Sequence, residues 1–483
     1  MNAIIHIVAA GLLLLTFSPA AAEAQVSLDS CRRMALANNK SLQVSDEAVK
    51  GAGYARKAAK AAYLPAIDAG ATYLYNQHKM SILSEDAKLP TMSFNPATGS
   101  YDLNILKGAD GAPVISPEGS VIPTEVAVIP KDALTFDTRS VFAGAITLTQ
   151  PIFMGGEIKA LNEIAKYSEY ALRAGRNNAV QQLIYDVDEA YWTVVSLRAK
   201  KKLAESYLQL VDTLHYNVNA MLDEGVATRS DLLNVNVSLN EAKMMLTKVD
   251  NGLALARMAL AQICGLPVDS QLVLEDEEKT DVLKEMPDYA FNMSDVYAKR
   301  QDLETLRQGI NVLKGTERLA LGAMLPKVAI VGAYTFSTPN FIDGFSRHLR
   351  GGFSIGAGIT IPIWHWGGNY NKYRAAKSAT NAQRLMLEDM EEKVNLQVNQ
   401  AKFKFQEAFK TYNLAESNMK SAEENLRSAR LAYTEGLLTT NDVIMAQTGW
   451  LQANSEKIDA EIGIHLCEVY LSKVLGTLPY NIK

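Results

Sequence analysis

The residues most able to do chemistry are few and scattered. The six histidines lie at positions 6, 78, 215, 348, 365 and 465. None stands beside a cysteine or a second histidine at metal-ligand spacing. The three cysteines, Cys31, Cys264 and Cys467, are an odd number, so at least one thiol is left unpaired. Gly155-Gly156 and Gly367-Gly368 faintly suggest a phosphate loop, but the further glycines and the Lys-Ser/Thr that such a loop needs are missing. They read as flexible strand-to-helix hinges. Met244-Met245 is a small apolar patch. His215 interrupts an apolar helical seam and reads as a packing residue. The expectation is no enzyme, no cofactor and no metal.

The informative polar residues occur in duplicate. Glu224-Gly225-Val226-Ala227-Thr228-Arg229-Ser230-Asp231-Leu232-Leu233 returns 211 residues later as Glu435-Gly436-Leu437-Leu438-Thr439-Thr440-Asn441-Asp442-Val443-Ile444. The same offset pairs Pro151-Ile152-Phe153 with Pro362-Ile363-Trp364, and Gly265 with Gly476. Upstream the offset becomes 261: Leu64-Pro65 matches Leu325-Pro326, and Asn38 to Leu42 lies against Lys299 to Leu303. The chain is therefore a tandem duplication whose first copy carries one insertion of 50 residues.

Each copy reads as helix, strand, loop, strand, long helix, break, helix. After Pro65, the positions Ile67, Ala69, Ala71, Tyr73 and Tyr75 alternate with a smaller and more polar set. Copy two places Val328, Ile330, Gly332, Tyr334 and Phe336 in the same slots. The return strands carry Phe142, Ile146 and Leu148, matched by Phe353, Ala357 and Ile359. Strands are expected near 65–76, 141–152, 326–336 and 352–363. Their length of roughly ten residues suits a tilted barrel strand. Tyr73, Tyr75, Tyr334 and Phe336 lie at one end, and Phe153, Trp364 and Trp366 at the other, as two aromatic membrane girdles would. A half-buried soluble sheet alternates in the same way.

From Gly156 to Asp223, and again from Gly368 to Glu435, there is no proline. Each stretch fits one helix of nearly 70 residues, on the order of 100 Å long. Val398, Phe405, Tyr412, Met419, Leu426 and Tyr433 recur every seven residues, with Ala401, Ala408, Ala415, Ala422 and Ala429 in the alternate core position. That is a coiled-coil seam. Copy one keeps it with Val187, Ala190, Val194, Leu197, Ala204, Leu208, Val211, Val218 and Leu222, broken at Lys201 and His215. Gly225 and Gly436 end these helices, and Thr228 and Asn441 are placed to cap the next ones.

The net charge of −5, from 48 basic and 53 acidic residues, argues against a nucleic-acid partner. Ile4 to Phe17 is apolar and is followed by Ala22-Glu23-Ala24, the pattern of a cleaved signal peptide over residues 1–24. The first structural repeat is then 25–265, a linker 266–290, and the second repeat 291–483. The linker reads as irregular, with a short strand at Gln271 to Leu274, packed on the outside of the helices. Residues from about Gln77 to Arg139 form a loop far longer than its partner at Ser337 to Arg350. Its prolines and glycines are expected to resist regular structure.

Four strands cannot close a barrel, and open edges in a bilayer would leave backbone groups unpaired. Three chains would supply 12 strands. The duplicated Gly225-x-x-Thr228-x-x-Asp231-Leu232-Leu233 and Gly436-x-x-Thr439-x-x-Asp442-Val443-Ile444, with Pro151 and Pro362 closing the return strands, resemble the TolC-type outer-membrane efflux family over the whole mature chain. The resemblance implies an α+β fold: a membrane β-barrel of four strands per chain, 12 in a homotrimer, continued by a long α-helical coiled-coil barrel. It implies a channel-tunnel in the outer membrane and periplasm, in contact with outer-membrane lipid, a periplasmic adaptor (membrane fusion protein) and an inner-membrane transporter. Small-molecule efflux is favoured; type I protein secretion uses the same outer component. A structural coiled-coil envelope protein or a soluble helical binding protein would leave the paired strands and girdles unexplained. By motif position, Asp231, Tyr433 and Asp442 become the periplasmic gate, with an Asp231–Tyr433 hydrogen bond. Gly225, Thr228, Gly436 and Thr439 become the adaptor-docking tips. The family's arginine, two residues after the second glycine, is Leu438 here. Its further acidic position is Asn234 or Met445, so stacked acidic rings are in doubt.

Overall fold

The computed structural model describes residues 25–278, 291–340 and 346–479. The expected signal peptide, 1–24, and residues 279–290 of the expected linker lie outside them. The described chain forms two compact units. The second unit is Ala58–Ala160 with Arg318–Tyr373; the other described residues make the first.

The duplication reappears as two equal runs of elements. Repeat one opens with α1 (Leu28–Asn38) and α2 (Lys40–Ala61), then β1 (Ala66–Tyr75). Its inserted segment holds β2 (Met80–Ser81), β3 (Ala87–Pro90), β4 (Met92–Asn95), β5 (Ser100–Leu103), β6 (Val126–Ile129) and β7 (Thr135–Phe136). The return strand β8 (Ser140–Met154) leads into α3 (Glu157–Asp223) and α4 (Arg229–Ile263). Repeat two is α5 (Met293–Lys299), α6 (Gln301–Gly322), β9 (Lys327–Thr338), β10 (Arg350–Thr360), α7 (Gly368–Thr434) and α8 (Thr440–Val474). Both long helices have 67 residues and both descending helices 35, as a constant offset requires.

In the first unit the expected seam is buried. Val398, Ala401, Phe405, Ala415, Leu426 and Ala429 of α7 are covered, as are Val187, Val194, Ala204, Val211 and Val218 of α3. Burying one such aliphatic side chain stabilises by about 1.5–3 kcal/mol. At the His215 interruption the neighbouring Leu214 enters the core instead, at spacings of 3 and 4 from Val211 and Val218. Lys201 turns outward to Asp250. One apolar cluster joins α1 to α3 and α4, with Cys31, Val187, Tyr191, Val194 and Leu260 among its members. A second joins α5 and α6 to α7 and α8 around Leu303, Val398, Phe405 and Leu471. No described helix is long and apolar enough to cross a membrane.

The linker departs from expectation. Its start is not merely laid on the outside, because Leu272 and Leu274 belong to the buried core of repeat one. The expected strand shrinks to a single parallel bridge, Val26 to Leu274, with Val26 N–H donating to Val273 O at 2.9 Å. The Glu277 carboxylate, nearly buried, accepts from Arg257 at 2.8 and 2.9 Å. A buried carboxylate needs such partners to remain charged.

In the second unit the four long strands form one antiparallel sheet in the order β1-β8-β9-β10. The register carries more than the order. Ile67 pairs with Leu148, Ala69 with Ile146, Ala71 with Gly144 and Tyr73 with Phe142. Across the next ladders Ile146 pairs with Tyr334, Gly144 with Phe336, Tyr334 with Phe353 and Val328 with Ile359. Partners in a ladder share a face, so the apolar sets of all four strands coincide. The other face carries Asp68, Gly70, Thr72, Thr147, Thr149, Thr335, Ser337 and Ser354 by the same registers.

Pro151 does not close its strand as expected. The ladder continues to Met154, with a bulge between Pro151 and Phe153. The bulge absorbs one residue and flips the parity, so Phe153 opposite Val328 joins the apolar face. The double-glycine hinges are tight turns. Gly155 and Gly156 take φ of 60° and 81°, and the equivalent positions are Trp366 and Gly367, at 50° and 75°. The second hinge is thus one residue earlier than the Gly367-Gly368 pair.

The long insertion is regular. The segment pairs as β2 with β7, β3 with β6 and β4 with β5. Beyond Asn104 a further hairpin set is tied by the bridges Ile105–Pro123, Lys107–Pro113 and Ile115–Val121. The ribbon forks at Asn104, whose N–H donates to Thr91 O at 2.9 Å while its carbonyl accepts from Thr124 N at 2.8 Å. Of the residues counted as breakers, Pro90, Pro113 and Pro123 sit within the pairing, and others form the turns between short β-prone stretches such as Val126–Ile129. Gly99, Gly111 and Gly119 close hairpins.

Candidate functional site: the paired helix tips

The duplicated motif builds two helix-turn-helix tips in the first unit, and each residue type has a physical task. The last turn of a helix has carbonyls without intrahelical partners. At the end of α3 the chain turns left-handed at Gly225, φ 76°. The N–H of Val226 then reaches back to Met221 O at 2.8 Å, and that of Gly225 to Leu222 O at 3.0 Å. This is the glycine stop that satisfies such carbonyls. At the end of α7, Gly436 has φ 72°, with Leu437 N–H on Ala432 O at 2.8 Å and Gly436 N–H on Tyr433 O at 3.0 Å.

The following helices start with reciprocal caps. Thr228 Oγ1 accepts from Asp231 N–H at 3.2 Å, and Asp231 Oδ2 accepts from Thr228 N–H at 2.9 Å and from its hydroxyl at 2.5 Å. In repeat two Thr439 and Asp442 repeat this at 3.3, 2.8 and 2.6 Å. These hydrogen bonds favour the charged form and hold both carboxyls below their ordinary values. Asn441 is not the cap; Thr439 is. The Thr-x-x-Asp spacing, the shortened form of a capping box, could have shown this from the sequence.

Tyr433 does not reach Asp231 within the protomer. Its hydroxyl lies 3.4 Å from Met221 Sδ and 3.4 Å from Thr440 Oγ1. It thereby links the end of α7 to the end of α3. Beneath it Val211, Leu214 and Val218 of α3 pack with Val235 and Leu239 of α4 and Val443 and Leu451 of α8, so the two hairpins share one core. At the extreme ends Val226 and Leu437 are more than two-thirds exposed. Leu438, in the position of the arginine, and Met445 are exposed too.

The aromatic residues assigned to the girdles lie in the second unit as the strands place them. Tyr73, Tyr75 and Tyr334 are exposed, and the Phe336 ring lies tilted against Phe142, 6.0 Å between centroids. Phe153, Trp364 and Trp366 are exposed near the other ends of β8 and β10, with the two indoles edge to face at 6.0 Å. A site that sequence reading missed is His465. It stacks on Trp192 at 4.0 Å, and burial pushes its pKa down. Only long-range packing brings these two together.

A duplicated fold of long helical hairpins and a four-stranded sheet with one apolar face is that of an outer-membrane channel protein. The family model of the outer membrane efflux protein matches residues 126–266 and 292–477, and the chain belongs to that family. Its members are channels in the outer membrane that extend into the periplasm, not enzymes. The outer membrane efflux protein BepC of Brucella suis biovar 1 is 22% identical over 349 residues, covering 71% of this chain and 74% of that protein. Among solved structures, a membrane protein from Pseudomonas aeruginosa aligns at TM-score 0.72 and 18% identity, over 93% of this chain and 92% of the other. The open state of the Neisseria gonorrhoeae MtrE outer membrane channel aligns at 0.69 and 19%, over 93% and 88%.

Proposed function

We propose that the chain is the outer-membrane duct of a tripartite export assembly. It works as a homotrimer that receives small molecules from an inner-membrane transporter through a periplasmic adaptor. The observation that carries this is the sheet's topology. β1 and β10 are both edges, and in the order β1-β8-β9-β10 they run in opposite directions. The β10 edge of one copy can therefore pair antiparallel with the β1 edge of the next. Such head-to-tail pairing closes when the rotation closes. Three copies make 12 strands, with the apolar face toward lipid and the threonine- and glycine-rich face toward water. Each edge group left unpaired in lipid would cost several kcal/mol.

The helix tips serve as gate and dock. Val226 and Leu437, with the turns at Gly225, Thr228, Gly436 and Thr439, present the apolar ends an adaptor would cover. Asp231 and Asp442, charged and rigidly capped, line the constriction. Tyr433 holds the two hairpins of a protomer together. In place of an Asp231–Tyr433 bond, its grip on Met221 and Thr440 supports closure. Light scattering in detergent should give the mass of three chains, and a stable folded monomer would defeat the reading. In planar bilayers Tyr433→Phe should raise single-channel conductance without loss of the trimer. Unchanged conductance would remove Tyr433 from the gate. Cells lacking the protein should retain a lipophilic dye that the wild type expels; equal retention would point away from small-molecule efflux.

A further inference from the structure

We propose that Cys31 and Cys264 form a disulfide in the mature protein, a covalent staple between α1 and the end of α4. Both residues are fully buried, in the same apolar cluster. Cys264 Sγ lies 3.6 Å from the carbonyl oxygen of Cys31, so the two residues are in contact. The backbones are held close on the far side as well, because a Cβ on Gly265 would sit 2.5 Å from Cβ of Asn38. The third thiol does not compete, since Cys467 is packed against the separate cluster of repeat two.

The internal duplication supplies an independent argument. The equivalents of Cys31 and Cys264 in repeat two are Asn292 and Leu475. Asn292 caps α5, and Leu475 is an ordinary buried apolar residue. Repeat one has cysteine at both positions, and the two residues touch. The outer membrane and periplasm lie in a compartment where such pairs are oxidised. The bond would span 233 residues of chain. Constraint of the unfolded chain grows with the length of the loop closed.

The chemistry balances with a disulfide oxidant of the periplasm. One protein thiolate attacks a sulfur of the oxidant's disulfide and expels the other as thiolate. The second cysteine then attacks the mixed disulfide, forming the Sγ–Sγ bond and releasing the oxidant as a dithiol. The two thiol protons, relayed through solvent, and the two electrons all end on the oxidant's dithiol. In the finished core both sulfurs are fully buried, out of reach of an oxidant. The exchange therefore belongs to folding, before α1 docks.

The test uses full-length protein from outer membranes, denatured in a maleimide without reductant and digested for mass spectrometry. The expected result is a peptide pair joined through Cys31 and Cys264, with Cys467 the one alkylated cysteine. After reduction all three should be alkylated. Alkylation of both Cys31 and Cys264 without reductant overturns the proposal. Reductant should also lower the melting temperature of wild type and of Cys467→Ser, and leave that of Cys264→Ala unmoved. A wild-type melting temperature indifferent to reductant would count equally against the staple.

Discussion

The two repeats build the same joint from different side chains. In each, the descending helix stops at a left-handed glycine, Gly265 (φ 70°) or Gly476 (φ 69°). Each abuts a break between two shorter helices, at Asn39 (φ −63°, ψ 123°) or beside Arg300 (φ −68°, ψ 117°). The break residue sends a side-chain N–H to a carbonyl at the end of the descending helix. Asn39 Nδ2 reaches Ile263 O at 3.1 Å, and Arg300 Nη1 reaches Val474 O at 3.1 Å. Asn39 also accepts from the N–H groups of Ser41 and Leu42, at 3.0 and 3.2 Å, capping α2. Repeat two divides those tasks. Arg300 takes the carbonyl and pairs with Asp302 at 2.6 Å, and Asp302 accepts from Leu303 N–H. A cation suits the negative end of a helix dipole. The backbone shape is what the duplication has kept; any side chain that satisfies the orphaned groups serves.

The largest test of that asymmetry lies next to the joint. Repeat one adds a buried ion pair, with Arg32 Nε and Nη2 at 2.7 and 2.6 Å from the carboxylate of fully buried Asp188. The equivalent positions in repeat two are Met293 and Asn399. Burial pushes the Asp188 carboxyl up, against the pull of the guanidinium. Arg32→Ala would leave that carboxylate unpartnered and should cost about 3–5 kcal/mol in urea unfolding. Met293→Ala should cost less, and equal losses would erase the contrast. Next come the glycine stops. A Cβ on Gly265 would also lie 2.8 Å from the backbone carbon of Asn38, whereas on Gly476 the nearest atoms are 3.1 and 3.2 Å away. The left-handed conformation alone makes alanine unfavourable by about 1–2 kcal/mol at either site. Gly265→Ala should exceed Gly476→Ala in lowering the melting temperature. The reverse order would mean that repeat two is the tighter joint.

What the sequence made legible was whatever depends on local period. The equal helices, the seam of Val398, Ala401, Phe405 and Leu426, and the strand parity all follow from spacing within a few residues. Partners far along the chain were hidden. Leu274 is buried because it meets Val26, and Tyr433 finds Met221, which lies 212 residues away. No periodicity encodes such meetings. The forked ribbon was missed for a different reason. Its strands are only two to four residues long, too short for alternation to outweigh the prolines and glycines between them.

The smallest and sharpest comparison is between the tips. Here the repeats agree to within a few degrees at the glycines and about 0.1 Å in the caps. Thr228→Ala and Thr439→Ala should each cost about 1 kcal/mol, the usual loss of a capping hydroxyl. Hydrogen exchange at the first turns of α4 and α8 would read this locally. The pH dependence has a definite sign. Both carboxyls titrate below the unfolded value of 3.8, so they contribute stability above that value. Protection should therefore be flat above about pH 5 and fall as pH drops through the folded values. One asymmetry is Tyr433 on Thr440, beside the second cap. If that contact steadies the turn, Thr439→Ala should open α8 less than Thr228→Ala opens α4, and Tyr433→Phe should restore equality. Tips that stay unequal in the Tyr433→Phe background would place the source of the difference elsewhere. Tips equal from the start would show that Tyr433 binds the hairpins together without stiffening either turn.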